Sequence, residues 1–401
     1  MQHHHLKKEA KNAIILAVMC FIAYLAVYFL RNILSAVSPQ MEAAGDFTDK
    51  QTGLLGSVFF ASYAIGQLFN GIIGDRIKAK YMMSLGLTLA GISHILFVLF
   101  ADSAVMTTIS YALVGLFLSM IYAPMTKVVS ENVNLNYAQR CSVAYSFSSF
   151  LGSPTAGVCA AVMSWTALFY FGGALIVAVG IGVFIFFIFA EKKGIVSYGK
   201  FTPPEKKGGS LKVLLKRQIV KYTFVSVLTG IVRTSVVFFL PTYLYKYLGF
   251  SESTSTLIFT VATLIISLSA FLTVAIFEMF KRDMNKTLLT SFVLSALAFV
   301  GTFLFKQPVV NMLCIVLAIM MSNCAASMLW SYYCPSLRYT GMVSTATGYL
   351  DFMSYIAAAV ANLLSPYAVS SIGWGGLILV WTALMVFGVL IAIPFKKKTK
   401  E

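Results

Sequence analysis

Apolar residues in this chain come in runs of about 20, neither alternating as in a strand nor confined to one stripe as in a surface helix. A helix of that length spans the hydrocarbon of a bilayer. In lipid each such segment must also satisfy its own backbone hydrogen bonds. The runs fall at residues 12–36, 52–73, 82–101, 104–128, 140–163, 166–190, 221–247, 254–279, 286–305, 309–334, 341–366 and 374–395. The pattern predicts an all-α membrane protein of twelve transmembrane helices. The one long polar interruption, residues 191–220, holds Lys192, Lys193, Pro203, Pro204, Lys206, Lys207, Gly208 and Gly209. It reads as a solvated linker between an N-terminal six-helix bundle, 1–190, and a C-terminal one, 221–401.

Composition agrees with this reading and excludes others. Of 401 residues 59% are hydrophobic and 11% charged, with a mean hydropathy of +0.84, too few charges to cover a soluble surface of this size. A net charge of +16 could suggest nucleic acid, but the basic residues sit between apolar runs rather than on a soluble patch, so no nucleic-acid partner is expected. Their placement sets orientation instead, because basic residues are enriched in cytoplasmic loops. With both termini and the linker inside, 25 of the 30 lysines and arginines are cytoplasmic. Lys50, Lys246 and Lys306 fall outside, and Arg31 and Arg233 within the membrane. The first apolar run continues through Arg31 toward Pro39 without a small-residue cleavage site, so it is expected to remain as the first helix. The histidines at 3–5 carry no weight, and His94 reads as a packed helix residue. The six cysteines lack the close pairs of a metal site or disulfide framework. No nucleophile, base and orienting group stand at recognisable spacing, so neither an enzyme, a cofactor nor a metal is expected.

Charge inside the membrane is the strongest pointer to chemistry. It costs at least about 2.5–3.5 kcal/mol and is tolerated facing a cavity or a partner. Arg31, Arg233 and Asp351 lie within spans. The arginines occupy matching places in the two halves: each is followed eight residues later by a proline, Pro39 and Pro241. Asp75 follows Arg31 by 44 residues and Glu278 follows Arg233 by 45. A feature found once per half points to a site at the interface of a repeat. Two guanidinium forks suit phosphate or carboxylate, whereas snorkelling or a structural ion pair is the competing reading. Helical spacing places Tyr24, Tyr28 and Arg31 on one face, and pairs Tyr63 with Gln67 and Asp351 with Tyr355. Each tyrosine taken singly could be core or an interfacial belt residue. For Asp351 three readings stand: a salt bridge to Arg233, a coupled-proton site, or a contact to substrate hydroxyls.

The inner loop Gly71-Ile72-Ile73-Gly74-Asp75-Arg76-Ile77-Lys78-Ala79-Lys80 resembles the loop motif of the major facilitator superfamily, through Gly71, Asp75 and Arg76. Tyr24, Tyr28, Arg31, Tyr63, Arg233 with Pro241-Thr242-Tyr243-Leu244, Gly348 and Tyr355 resemble, within it, the organophosphate:phosphate antiporters. The resemblance implies two pseudo-symmetric six-helix bundles. It also implies two arginines that hold phosphate and tyrosines that line the cavity. Asn32 and Gln67 stand where that family has lysines, the histidine of the fifth helix has no counterpart in Tyr145-Ser146-Phe147-Ser148-Ser149, and Asp351 replaces a glycine. With Asp351 ionised, the three deep charges total +1, so a phosphate dianion is less completely neutralised, whereas a monoanion such as a sugar acid or other carboxylate suits well. The expectation is alternating-access exchange of a small organic anion, an organophosphate against inorganic phosphate, by a monomer in a bacterial inner membrane. Proton-coupled uptake of a carboxylate or sugar acid, with the proton as coupled species, and a membrane sensor of sugar phosphates are the alternatives.

Overall fold

The computed structural model describes residues 2–47, 49–199 and 210–393, and side chains including those of Pro39, Lys50, Pro241 and Thr242 lie outside the described residues. Among these residues every regular element is helical. The helices are α1 (Gln2–Ala43), α2 (Asp49–Gly74), α3 (Ala79–Leu99), α4 (Ala104–Leu118), α5 (Tyr122–Asn132), α6 (Leu135–Ser146), α7 (Ser148–Val162), α8 (Trp165–Lys192), α9 (Ser210–Lys216), α10 (Ile219–Ile231), α11 (Val237–Lys246), α12 (Glu252–Ser267), α13 (Ser269–Met279), α14 (Met284–Leu304), α15 (Pro308–Ser327), α16 (Cys334–Ser336) and α17 (Val343–Ala392). Wide π turns at Val232–Val236 and Met328–Tyr333 join α10 to α11 and α15 to α16. Gly373, at φ 68°, breaks α17 into two passes, a left-handed conformation that favours glycine.

Ten helices among the described residues are long and apolar enough to cross a membrane. The remaining two passes are α6–α7 and the part of α17 before Gly373. Both are the more polar ones: the first holds Asn136, Gln139, Arg140 and Ser142, the second Ser344, Thr345, Thr347, Asp351 and Ser354. Polar positions in a spanning helix face protein or a cavity rather than lipid, and Ser142, Ser344, Thr347, Asp351 and Ser354 are buried, whereas Asn136 and Arg140, at the start of α6, are exposed. Lipid-side surface is apolar elsewhere, with Ile14, Val18, Val105, Leu297 and Leu313 exposed. The turns are set locally. Ser103, Asn134, Ser164 and Asp283 accept hydrogen bonds from the first-turn amides of α4, α6, α8 and α14, and Pro308 starts α15 where its missing N–H costs nothing.

The chain forms two compact units. The first comprises residues 1–217 with 330–352, the second 218–329 with 353–401. In the first, α3 packs on α8 through stacked rings, His94 on Phe169 at 4.1 Å and Phe97 on Phe169 at 4.6 Å, and Phe47, in the connection after α1, stacks on Phe97 at 5.7 Å. His94 is fully buried, with Nδ1 3.1 Å from the Phe169 carbonyl. The segment 330–352 is bound to this unit along its length. The Ser142 hydroxyl donates to the Trp330 carbonyl (3.3 Å), the Tyr333 hydroxyl to the Arg217 carbonyl (2.9 Å), and Arg338 Nη1 to the Val133 carbonyl (3.1 Å).

The start of the expected linker is also docked. Lys80 pairs with Glu191 at 2.8 Å, the Ser197 amide donates to Asn132 Oδ1 at 2.8 Å, and the Lys78 ammonium lies 5.6 Å from the Tyr198 ring. Burial, then the Glu191 charge, pushes the Tyr198 hydroxyl above its ordinary pKa. Residues 200–209, the centre of that linker, lie outside the described residues.

In the second unit, α14 and α15 are stitched by Ser295, whose hydroxyl donates to the Ala318 carbonyl at 2.8 Å. Asn311 Nδ2 donates to the Thr302 (2.6 Å) and Phe305 (2.8 Å) carbonyls, while its oxygen accepts from the Tyr243 hydroxyl. Each polar side chain thereby satisfies groups that lipid could not.

Candidate functional site

Seven of the nine candidate binding residues belong to the first unit, and Arg233 and Tyr355 to the second. Arg31, on α1, is surrounded by aromatic faces: its Cζ lies 4.9 Å from the Phe60 ring centroid and 5.6 Å from those of Tyr28 and Tyr63. Such a setting holds a guanidinium by cation–π attraction. Tyr111 lies within electrostatic reach of it. Asn32 turns its amide back on its own helix, Nδ2 donating to the Tyr28 carbonyl at 2.6 Å.

Below Arg31 lies a tyrosine cluster. Tyr24 meets Tyr28 edge-on at 5.0 Å, stacks on Tyr122 at 5.2 Å and approaches Tyr145 at 6.3 Å, and Tyr122 meets Trp330 edge-on at 5.9 Å. Asp351, 5% exposed, acts electrostatically on Tyr122 and on Cys334. Phe60, Tyr122 and Trp330 were not legible as site residues, because an aromatic inside an apolar run reads as core, and Tyr145 entered only as a departure from the family pattern. In the second unit Arg233 sits in the π turn Val232–Val236, the kind of local widening that recurs at functional positions. There the first part of α17 crosses α10 so closely that a side chain at Gly230 would strike the Ser354 backbone, and Tyr355 is buried beside it.

The inner-loop motif builds a latch within the first unit. Asp75 Oδ1 accepts from the Ser344 amide at 3.0 Å and Oδ2 from the Thr345 amide at 2.7 Å, so one carboxylate caps the start of α17. Lys127 Nζ donates to the Asp75 carbonyl at 2.6 Å and stands 3.6 Å from Oδ1. Gly71 and Gly348 meet backbone to backbone: a Cβ on Gly348 would come within 2.6 Å of the Gly71 Cα. Arg76 is exposed.

Burial pushes the Asp75 carboxyl above its usual range, and the Thr345 and Ser344 hydrogen bonds and Lys127 only partly offset this. A carboxyl whose pKa is higher in the latched than in a solvated state favours the latch as pH falls from that raised value toward about 3.9. Asp75→Asn keeps an acceptor and drops the charge, whereas Asp75→Ala strands two buried N–H groups at about 1–3 kcal/mol each. The Tm of the purified protein is therefore expected to fall by several degrees in Asp75→Ala and by less than half as much in Asp75→Asn. Equal falls would show that charge, not acceptor geometry, holds the latch.

Among the described residues no group of three His, Cys, Asp or Glu side chains could hold a metal ion. The Major Facilitator Superfamily profile matches residues 20–344. The chain belongs to that superfamily. Its members are transporters rather than enzymes. Relatives include the membrane sensor protein UhpC of Salmonella typhimurium, 34% identical over 80 residues, which is 20% of this chain and 18% of that protein. A probable hexose phosphate transport protein of Chlamydia pneumoniae is 28% identical over 111 residues, 28% of this chain and 24% of that one. The glycerol-3-phosphate transporter of Bacillus subtilis is 24% identical over 261 residues, 59% of this chain and 58% of that one. The alignments thus span less than two thirds of each relative. In fold, the human organic anion transporter MFSD10 superposes with a TM-score of 0.70 at 14% identity, covering 96% of this chain and 99% of that one. Fold class and superfamily are as the sequence led one to expect.

Proposed function

We propose that this protein exchanges a small organophosphate for inorganic phosphate by alternating access, with Arg31 and Arg233 donating to the phosphoryl oxygens. The observation that carries the reading is the setting of Arg31: a half-buried guanidinium on α1 packed against three rings, a residue type that suits recognition of an oxyanion. Its counterpart Arg233 occupies the matching place in the other half of the sequence, and the relatives include transporters named for hexose phosphate and glycerol 3-phosphate. Tyr24, Tyr28 and Tyr63 line the same region, and Tyr355 is assigned the corresponding part in the second half. The protein acts as a monomer of two six-helix halves, with both termini on the cytoplasmic side, as the skew of basic residues supports. In a variant lacking native cysteines, Lys193→Cys should react with an impermeant thiol reagent only once the cytoplasmic face is opened. Labelling in intact cells would reverse the orientation.

The direct experiment uses purified protein in liposomes loaded with labelled phosphate. External glycerol 3-phosphate or glucose 6-phosphate should drive label efflux, and liposomes without internal phosphate should take up neither ester. Efflux driven equally by unphosphorylated carboxylates, with no response to the esters, would overturn the reading. Two observations favour other readings. The buried carboxyl of Asp351 suits a proton-coupled carboxylate or sugar-acid symporter, and the similarity to UhpC suits a sensor of sugar phosphates, which would bind these esters without appreciable flux.

A further inference from the structure

Gln67, on α2, is fully buried, and neither its Nε2 nor its Oε1 finds a hydrogen-bond partner in the protein. Leaving both ends of one carboxamide unpaired costs about 1–3 kcal/mol per group, so such a residue is retained for a reason other than stability. Its surroundings narrow the reason. Across the close α2–α17 crossing, where the Gln67 carbonyl and Gly71 press on Gly348, the adjacent Thr347 is also fully buried, and its Oγ1 has no partner beyond the weak thiol of Cys334. Asp351 stands one helical turn beyond Thr347. In the other direction along α2, Tyr63 stands one turn from Gln67, and its ring lies 5.6 Å from the Arg31 guanidinium. One turn is about 5.4 Å, the length of a short carbon chain.

A carboxamide offers two donors and an acceptor in one plane. The fully ionised phosphoryl group of an ester can fill the donors but has no proton for Oε1. A pair of neighbouring hydroxyls can serve both, one accepting from Nε2 and the other donating to Oε1. We propose that Gln67, with Thr347 beside the same helix crossing, is a specificity-determining residue that reads hydroxyl groups on the carbon skeleton of the transported anion. This rests on the reading that the anionic group sits at Arg31. Gln67 meets the ligand when the face of α17 separates from α2 during the cycle.

The test compares wild-type, Gln67→Leu and Thr347→Val full-length protein for binding of inorganic phosphate, glycerol 3-phosphate and propyl phosphate. The last has the charge and chain length of glycerol 3-phosphate without its hydroxyls. Wild-type protein should prefer glycerol 3-phosphate to propyl phosphate by at least about tenfold, as loss of partnered polar groups implies. Gln67→Leu should erase that preference and Thr347→Val reduce it, with phosphate affinity held within about twofold. Because an unpaired amide is being removed, the ligand-free Tm of Gln67→Leu should stay level or rise. Unchanged preference, equal weakening of all three ligands, or a lower ligand-free Tm would overturn the assignment. Wild-type protein that binds phosphate without preferring glycerol 3-phosphate sinks this inference alone. Failure to bind any of the three sinks the anion reading beneath it as well.

Discussion

Alanine at Arg31 or at Arg233 is expected to abolish measurable binding of phosphate and its esters, a loss of at least about a hundredfold. Hydrogen bonds to charged groups contribute about 1.5–3 kcal/mol each, and a forked guanidinium makes two, so truncation removes about 3–6 kcal/mol, with about 1.4 kcal/mol per tenfold. Arg31 sits against Tyr28, Phe60 and Tyr63, rings that offer no N–H or guanidinium donor in its place. Lysine should rescue only weakly, because an ammonium is a point charge and stacks less well on those rings. Titration of labelled phosphate on the purified variants measures this. Near-normal affinity in both alanine variants would remove the two-arginine site, and loss in one alone would leave a single-arginine site.

Asp351 decides the second large effect, exchange against proton coupling. If the protein is an exchanger, ester uptake requires internal phosphate or ester and ignores a proton gradient, and Asp351→Asn retains exchange with an altered substrate preference. The amide keeps hydrogen bonding, and the deep charges rise from +1 to +2. If Asp351 carries a coupled proton, an inward proton gradient alone drives accumulation, and Asp351→Asn abolishes it while leaving equilibrium exchange. Asp351 is buried in the first unit, within electrostatic reach of Tyr122 and Cys334. The expected result is exchange without gradient dependence. Gradient-driven accumulation in liposomes free of counter-substrate would reverse it.

Much of the candidate site was visible in the residues because charge in a membrane is expensive. Arg31 and Asp351 stand out of their runs for that reason, and the tyrosines at offsets of three and seven from Arg31 follow from helix geometry. Phe60, Tyr122 and Trp330 were invisible: nothing in an apolar span separates an aromatic that lines a site from one that packs. Gln67 was visible as a polar residue, but only its burial without a partner gives it a role. The Asp75 loop was recognisable by its motif, while its cap on the Ser344 and Thr345 amides joins groups 269 and 270 residues apart.

The amino-acid sequence alone determined that this is a twelve-pass helical membrane protein with two charged positions matched across its halves. A helix in lipid must close its own hydrogen bonds, so length and hydropathy act locally, residue by residue. Only the tertiary structure decided that residues 330–352 pack with the first unit, that the start of the connection after α8 is docked on Asn132 and Lys80, and that Arg233 sits in a π turn. Each of these depends on contacts between distant segments or on which of two near-equal backbone hydrogen-bond patterns the packing favours, and neither leaves a periodic trace along the chain.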